Sequence, residues 1–120
     1  MKRKPKADLW ALALILALVL VASQGAAWFS SRTQAEQMRR WAAPGDIAML
    51  SSTTCIYCEK ARAWMTRAGV PFHECFIEQD AACRAEFEAR GARGTPTLIV
   101  RGQTLVGFDR PRVIEILSLR

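Results

Sequence analysis

Histidine is nearly absent from this 120-residue chain. The single one, His73, sits on an apparent strand beside Pro71 and Phe72 and reads as structural or exposed. No internal repeat and no low-complexity stretch is present, so repeat architectures drop out. A basic folded surface is lacking as well. The formal charge is +6, but residues 46–120 hold ten Lys/Arg against nine Asp/Glu, and the excess belongs to residues 1–45. A nucleic-acid reader needs its basic face on the folded domain, so nucleic acid is excluded as a partner. The four cysteines, separated by two, sixteen and seven residues, match no common zinc spacing, and no metal site is assigned.

One apolar run is long. Lys2, Arg3, Lys4 and Lys6 form a basic N-terminus over residues 1–8, and Leu9–Phe29 follows without a charge or a proline. Its 21 residues suffice to cross a bilayer as a helix, since about 20 are needed. Trp10 and Trp28 would stand about 27 Å apart at about 1.5 Å per residue, near the two interfaces that Trp prefers. A secretory signal peptide competes with this reading, because Leu9–Ala22 is an unbroken apolar run followed by small residues; no strict Ala-x-Ala site is present. A buried soluble helix is the third alternative. The four N-terminal cations outweigh Arg32, Arg39 and Arg40, so the positive-inside rule places the N-terminus in the cytoplasm and the remainder in the periplasm of a bacterium.

Residues 30–45 form a linker with helical character. Ala35, Met38, Trp41 and Ala42 share one side and can serve a solvated spacer, a lipid interface or a docking face. Pro44-Gly45 stops any helix, and a domain boundary is placed there, with the domain at 46–120.

Within that domain Asp46–Ser51 reads as a buried strand and Cys55–Ala68 as a helix with Ala61, Trp64, Met65 and Ala68 on its apolar side. Gly69 suits the left-handed residue that ends it. Phe72–Glu78 alternates as a strand, parallel to the first through a right-handed crossover. Asp80–Arg90 is a second helix with Asp80 as N-cap, Thr97–Val100 and Gln103–Val106 form a hairpin, and Asp109 caps a last helix that ends near Leu119.

Thr54-Cys55-Ile56-Tyr57-Cys58 joins the first strand to the first helix. A Cys-x-x-Cys at a strand–helix junction is the layout of a thiol–disulfide site, because a helix N-terminus favours a thiolate. Cys55 is then the nucleophile and Cys58, one turn on, the resolving thiol. The same pair can also be read as a structural disulfide or half of a zinc site. Cys75 and Cys83 are expected on an inward strand position and on the following helix, either as a second disulfide or as buried thiols. Lys60 and Arg62 read as a solvated helix face that can raise the positive potential near Cys55.

This element order, with the dithiol at the first junction and Thr95-Pro96 before the third strand, resembles the glutaredoxin branch of the thioredoxin superfamily over Asp46–Arg120. Cys55-Ile56-Tyr57-Cys58 matches the Cys-Pro-Tyr-Cys motif at three of four positions, and Gly107-Phe108-Asp109 is similar to the turn before the last helix in small glutaredoxin-like proteins. The resemblance implies an α/β fold: a βαβαββα three-layer sandwich on a mixed four-stranded sheet, here preceded by one transmembrane helix. It implies a dithiol–disulfide oxidoreductase acting on protein or small-molecule disulfides, with a redox donor or acceptor protein as partner and no tightly bound cofactor. It also implies a cis Pro96 and a substrate groove of Tyr57, Thr95, Pro96, Gly107 and Phe108. Glutathione is a candidate reductant, but Ser51, Ser52 and Thr53 stand where many glutaredoxins carry a basic residue for its carboxylate, and the usual Gly-Gly pair is reduced to Gly107. The competing reading from another class is a metal or iron–sulfur handling module built on the same dithiol; a third is a scaffold docking on a membrane partner.

Overall fold

The computed structural model describes residues 5–119, and side chains from Asp8 onward. Lys2, Arg3, Lys4, the side chain of Lys6 and Arg120 lie outside the described residues. The described elements are α1 (Pro5–Trp41), β1 (Ile47–Ser51), α2 (Ile56–Ala68), β2 (His73–Phe76), α3 (Ala81–Ala89), β3 (Thr97–Val100), β4 (Gln103–Val106) and α4 (Arg110–Ser118). The chain divides into two compact units, Met1–Thr33 and Gln34–Arg120.

The described residues of the first unit are helical, and its apolar side chains from Leu9 to Phe29, Trp10 and Trp28 included, are exposed. By length and composition α1 can cross a membrane. The guanidinium of Arg32 stacks 4.0 Å from the centroid of the Trp28 ring, the pairing of a cation with an aromatic face.

In the second unit four strands form a mixed sheet in the order β2-β1-β3-β4. β1 runs parallel to β2, with Leu50 opposite Cys75, and antiparallel to β3, which pairs antiparallel with β4. Alternation along a strand sends neighbouring residues to opposite faces. Ile47 and Met49 of β1 therefore share a face with Leu98 and Val100 of β3. They form the core with Ala61, Met65 and Ala68 of α2 and Val113, Ile116 and Leu117 of α4. Cys75 belongs to the other face and is bonded to Cys83 of α3, Cα–Cα 6.0 Å. Cross-linking so short a loop stabilises by roughly 2–3 kcal/mol in the chain-entropy account.

The structure departs from the sequence reading in three places. The linker is helical to Trp41, as read, and of the three roles open to its stripe the docking face is the one taken; the departure is in the boundary. Met38 is fully buried in the core, with Ala35, Trp41 and Ala42 packed against it, so the compact unit begins at Gln34, ahead of Pro44-Gly45. β2 stops at Phe76, since the amides of Gln79 and Asp80 both bond back to the Phe76 carbonyl and turn the chain into α3. Arg62 is not simply a solvated cation: partly exposed, its guanidinium makes two bonds to the Glu74 carboxylate, 2.6 and 2.7 Å, joining α2 to β2.

The caps form as the residue types dictate. Asp80 accepts from the amides of Ala82 and Cys83, and Asp109 from that of Arg112. Gly69, at φ 69°, closes α2 in the left-handed region, where a Cβ is costly.

Candidate active site

β1 delivers the chain to the dithiol, and α2 starts there because Cys55 acts as its N-cap. Cys55 has extended backbone angles, φ −98° and ψ 108°, and its Sγ accepts from the amide of Cys58 at 3.1 Å. In this position a sulfur meets the unpaired amides and positive dipole end of the helix. Cys55 and Cys58 form a disulfide, Cα–Cα 5.2 Å. The two sulfurs are not equivalent. Cys58 is fully buried, whereas Cys55 is half-buried at the surface beside the exposed Ile56 and Tyr57.

The Thr95-Pro96 peptide is cis and sets the Thr95 carbonyl oxygen 3.4 Å from Cys55 Sγ. Pro96 in turn accepts from the amide of Gly107 at 2.7 Å, which ties the end of β4 to this loop. Gly107 has φ 86°, and this left-handed turn brings Phe108 back toward α2.

Beside the dithiol these segments enclose an open groove of about 450 Å³ lined by Tyr57, Lys60, Ala61, Trp64, Thr95, Pro96, Val106, Gly107, Phe108 and Arg110. The five residues assigned to a groove from sequence all lie in this lining. Five others, Lys60, Ala61, Trp64, Val106 and Arg110, gain a place that sequence reading did not give them. Trp64 is not simply core: it is half-buried, with its ring 5.5 Å from that of Phe108 and under the Arg110 guanidinium at 5.1 Å. Val106 is exposed at the rim, and Lys60 lies 5.8 Å from the Tyr57 ring. The available signal was the helical spacing Tyr57, Lys60, Ala61, Trp64, a stripe that runs from the dithiol along α2. Lys60 and Arg110 make no ion pair among the described residues.

His73 is exposed on β2. Among the described residues no group of three or more His, Cys, Asp or Glu gathers as for a metal ion. The four cysteines pair two by two.

Behind the site, Glu74 accepts from Arg62 and from the Ser51 hydroxyl, the latter at 2.7 Å. Burial works to raise its pKa, but the bonds from Arg62 and Ser51 prevail and hold it below the ordinary 4.5. A carboxyl lowered on folding adds stability above its unfolded value and loses it as pH falls through the folded value. Glu74→Gln is therefore expected to lower stability by about 1–2 kcal/mol at pH 7, a figure already reduced for the partial exposure of Arg62. The gap between the two proteins should close as pH falls below about 4.5. Urea melts of both at pH 7 and pH 3 check this, and a gap independent of pH would contradict it.

Comparison with known proteins agrees with this geometry. The glutaredoxin family profile matches residues 47–105. Glutaredoxin 3 of Escherichia coli K12 is 34% identical over 65 residues, which cover 53% of this chain and 78% of that protein. Among solved structures, a point mutant of a thioredoxin-like protein superposes with a TM-score of 0.55 at 21% identity, over 63% of this chain and 99% of its own. The glutaredoxin of Methanosarcina mazei gives 0.51 at 23% identity, over 62% and 80%. These two likenesses show the fold.

Proposed function

The chain belongs to the glutaredoxin family, and on that premise we propose a membrane-anchored dithiol–disulfide oxidoreductase with Cys55 as attacking sulfur and Cys58 as resolving sulfur. The observation that carries this reading is the asymmetry of the pair. Cys55 Sγ sits at the surface on the N-terminus of α2, takes the Cys58 amide at 3.1 Å and faces the Thr95 carbonyl, while Cys58 is buried one turn behind.

In the reduced protein the Cys55 thiolate attacks one sulfur of a substrate disulfide. A bond forms between Cys55 Sγ and that sulfur, the substrate S–S bond breaks, and the departing sulfur takes up a proton. Cys58 then gives up its proton and attacks Cys55 Sγ. The mixed disulfide breaks, the second substrate sulfur leaves reduced, and Cys55–Cys58 is left oxidised as in the structure. Two electrons have passed from the dithiol to the substrate; a redox partner returns them, and the reverse sequence oxidises a substrate dithiol.

Disulfide-bearing proteins are the substrates we assign, seated in the groove of Tyr57, Thr95, Pro96, Gly107 and Phe108. Glutathione is the weaker candidate as reductant, because Ser52 and Thr53 offer its carboxylate no cation and are themselves engaged by Glu78.

The anchor is α1, with residues 9–29 in the bilayer, the basic residues 1–8 in the cytoplasm and the compact unit in the periplasm. The exposed apolar surface of α1 and the Cys75–Cys83 disulfide, a bond that persists in oxidising compartments, support this placement. Thiol trapping tests it. After reduction of intact cells, a membrane-impermeant maleimide should label Cys55, the sulfur at the surface; labelling of Cys55 that requires permeabilisation would contradict the periplasmic placement.

A further inference from the structure

The turn that leads into the dithiol is tied to a carboxylate that the exchange steps do not use. The amide of Cys55 bonds to the Ser52 carbonyl at 3.3 Å, which closes a turn over residues 52–55. Glu78, just beyond β2, grips this turn at two points. One carboxylate oxygen accepts from the Ser52 hydroxyl, and the other accepts from the Thr53 amide at 3.1 Å. Ser52 Oγ is also 3.4 Å from the Thr54 hydroxyl and 3.5 Å from the Thr54 amide, so the grip reaches the residue preceding Cys55.

We propose that Glu78 is a positioning residue of the dithiol, which fixes the turn before Cys55 and sets a negative charge beside it that opposes the thiolate. This rests on the exchange function given above and adds a residue that tunes it. The bond from Ser52, foremost, and that from Thr53 hold the Glu78 carboxyl below its ordinary value, so it is charged at neutral pH. The charge of Arg84 on α3 lowers it further. The helix N-terminus and the Cys58 amide favour the Cys55 thiolate. The Glu78 carboxylate, bonded to Ser52 and Thr53 in the turn that ends at Cys55, works against them. The reduced form is then stabilised less than the helix end alone would stabilise it, which makes the couple more reducing.

The test uses the full chain in detergent, reduced, with Cys55 alkylation by iodoacetamide followed across pH by mass spectrometry of its peptide. Glu78→Gln removes the charge and keeps an acceptor for Ser52; Glu78→Asp keeps the charge. Through near-aqueous dielectric the effect is about threefold in thiolate equilibrium. Glu78→Gln should therefore lower the Cys55 pKa by about half a unit and shift the dithiol–disulfide equilibrium about threefold, about 14 mV toward oxidising. Glu78→Asp should stay near wild type. In about 1 M salt the difference should collapse, since screening there acts within about 3 Å. A Glu78→Gln protein with the wild-type Cys55 pKa overturns the proposal, and so does a shift that salt leaves unchanged, which would assign Glu78 a structural role alone. Alkylation reads Cys55 whether or not the protein turns over a disulfide. Absence of exchange activity would therefore sink the functional reading while this one is still judged on its pKa.

Discussion

Cys55→Ser is expected to abolish disulfide exchange, with a fall of about a thousandfold or more, the scale on which loss of a covalent nucleophile acts. The reason is local. A serine hydroxyl fits the N-cap as well as a thiol does, so α2 keeps its start and the fold is retained. What disappears is the one sulfur that is both exposed to a partner and stabilised by a helix end and the Cys58 amide. Cys58 cannot replace it, because its side chain is fully buried. Turnover of a model disulfide and of a reduced-protein substrate, measured beside far-UV circular dichroism, separates chemistry from folding. A folded Cys55→Ser protein that retained wild-type turnover would remove the enzyme reading.

A chain that begins at Asp46 is expected to be less stable than one that begins at Gln34 by about 4 kcal/mol or more. Loss of a buried Met alone costs about 2–5 kcal/mol. The shorter chain also loses Ala35, Trp41 and Ala42 from the packing around the core. Arg101 is affected too. Its guanidinium donates to the carbonyls of Trp41, Leu117 and Leu119 and pairs with Asp46, binding the ends of α1 and α4 to the β3–β4 turn. The amide of Ala43 is the main support that keeps the Asp46 carboxyl below its usual range, with Arg101 second, and the amide goes with the truncation. Against a total stability of about 5–15 kcal/mol for a small domain, such a loss leaves a marginal protein. Urea denaturation of the two chains measures it, and equal midpoints would contradict the role given to Met38.

These two expectations mark what was legible in the sequence and what was not. β3 and β4 fall on Thr97–Val100 and Gln103–Val106, the two strands read as a hairpin, and Gly69, Asp80 and Asp109 cap their helices as their chemistry requires. These are local signals, written within a few residues. The dithiol is local as well, and Thr95-Pro96 is legible through family resemblance although it meets Cys55 from 40 residues away. The missed features are those whose meaning depends on a distant partner. Met38 carries the same stripe whether it faces lipid, water or a core. Arg62 reads as a surface cation until Glu74, twelve residues on, is brought beneath it. Trp64 satisfies a core periodicity and equally the wall of a groove, and only Phe108 and Arg110 decide which. Glu78 carries no local signature, since its partners Ser52 and Thr53 lie across the parallel β1–β2 crossover.

The central claim is that Cys55 takes a partner sulfur and Cys58 releases it. The most direct measurement is mass spectrometry of the full-length Cys58→Ser protein isolated from cells under acid quench. Without the resolving thiol, exchange should stop at the mixed disulfide, and partner peptides should be found bonded to Cys55, with Cys75–Cys83 intact. Partners bonded through Cys75 or Cys83, or no mixed disulfide at all, would contradict the account.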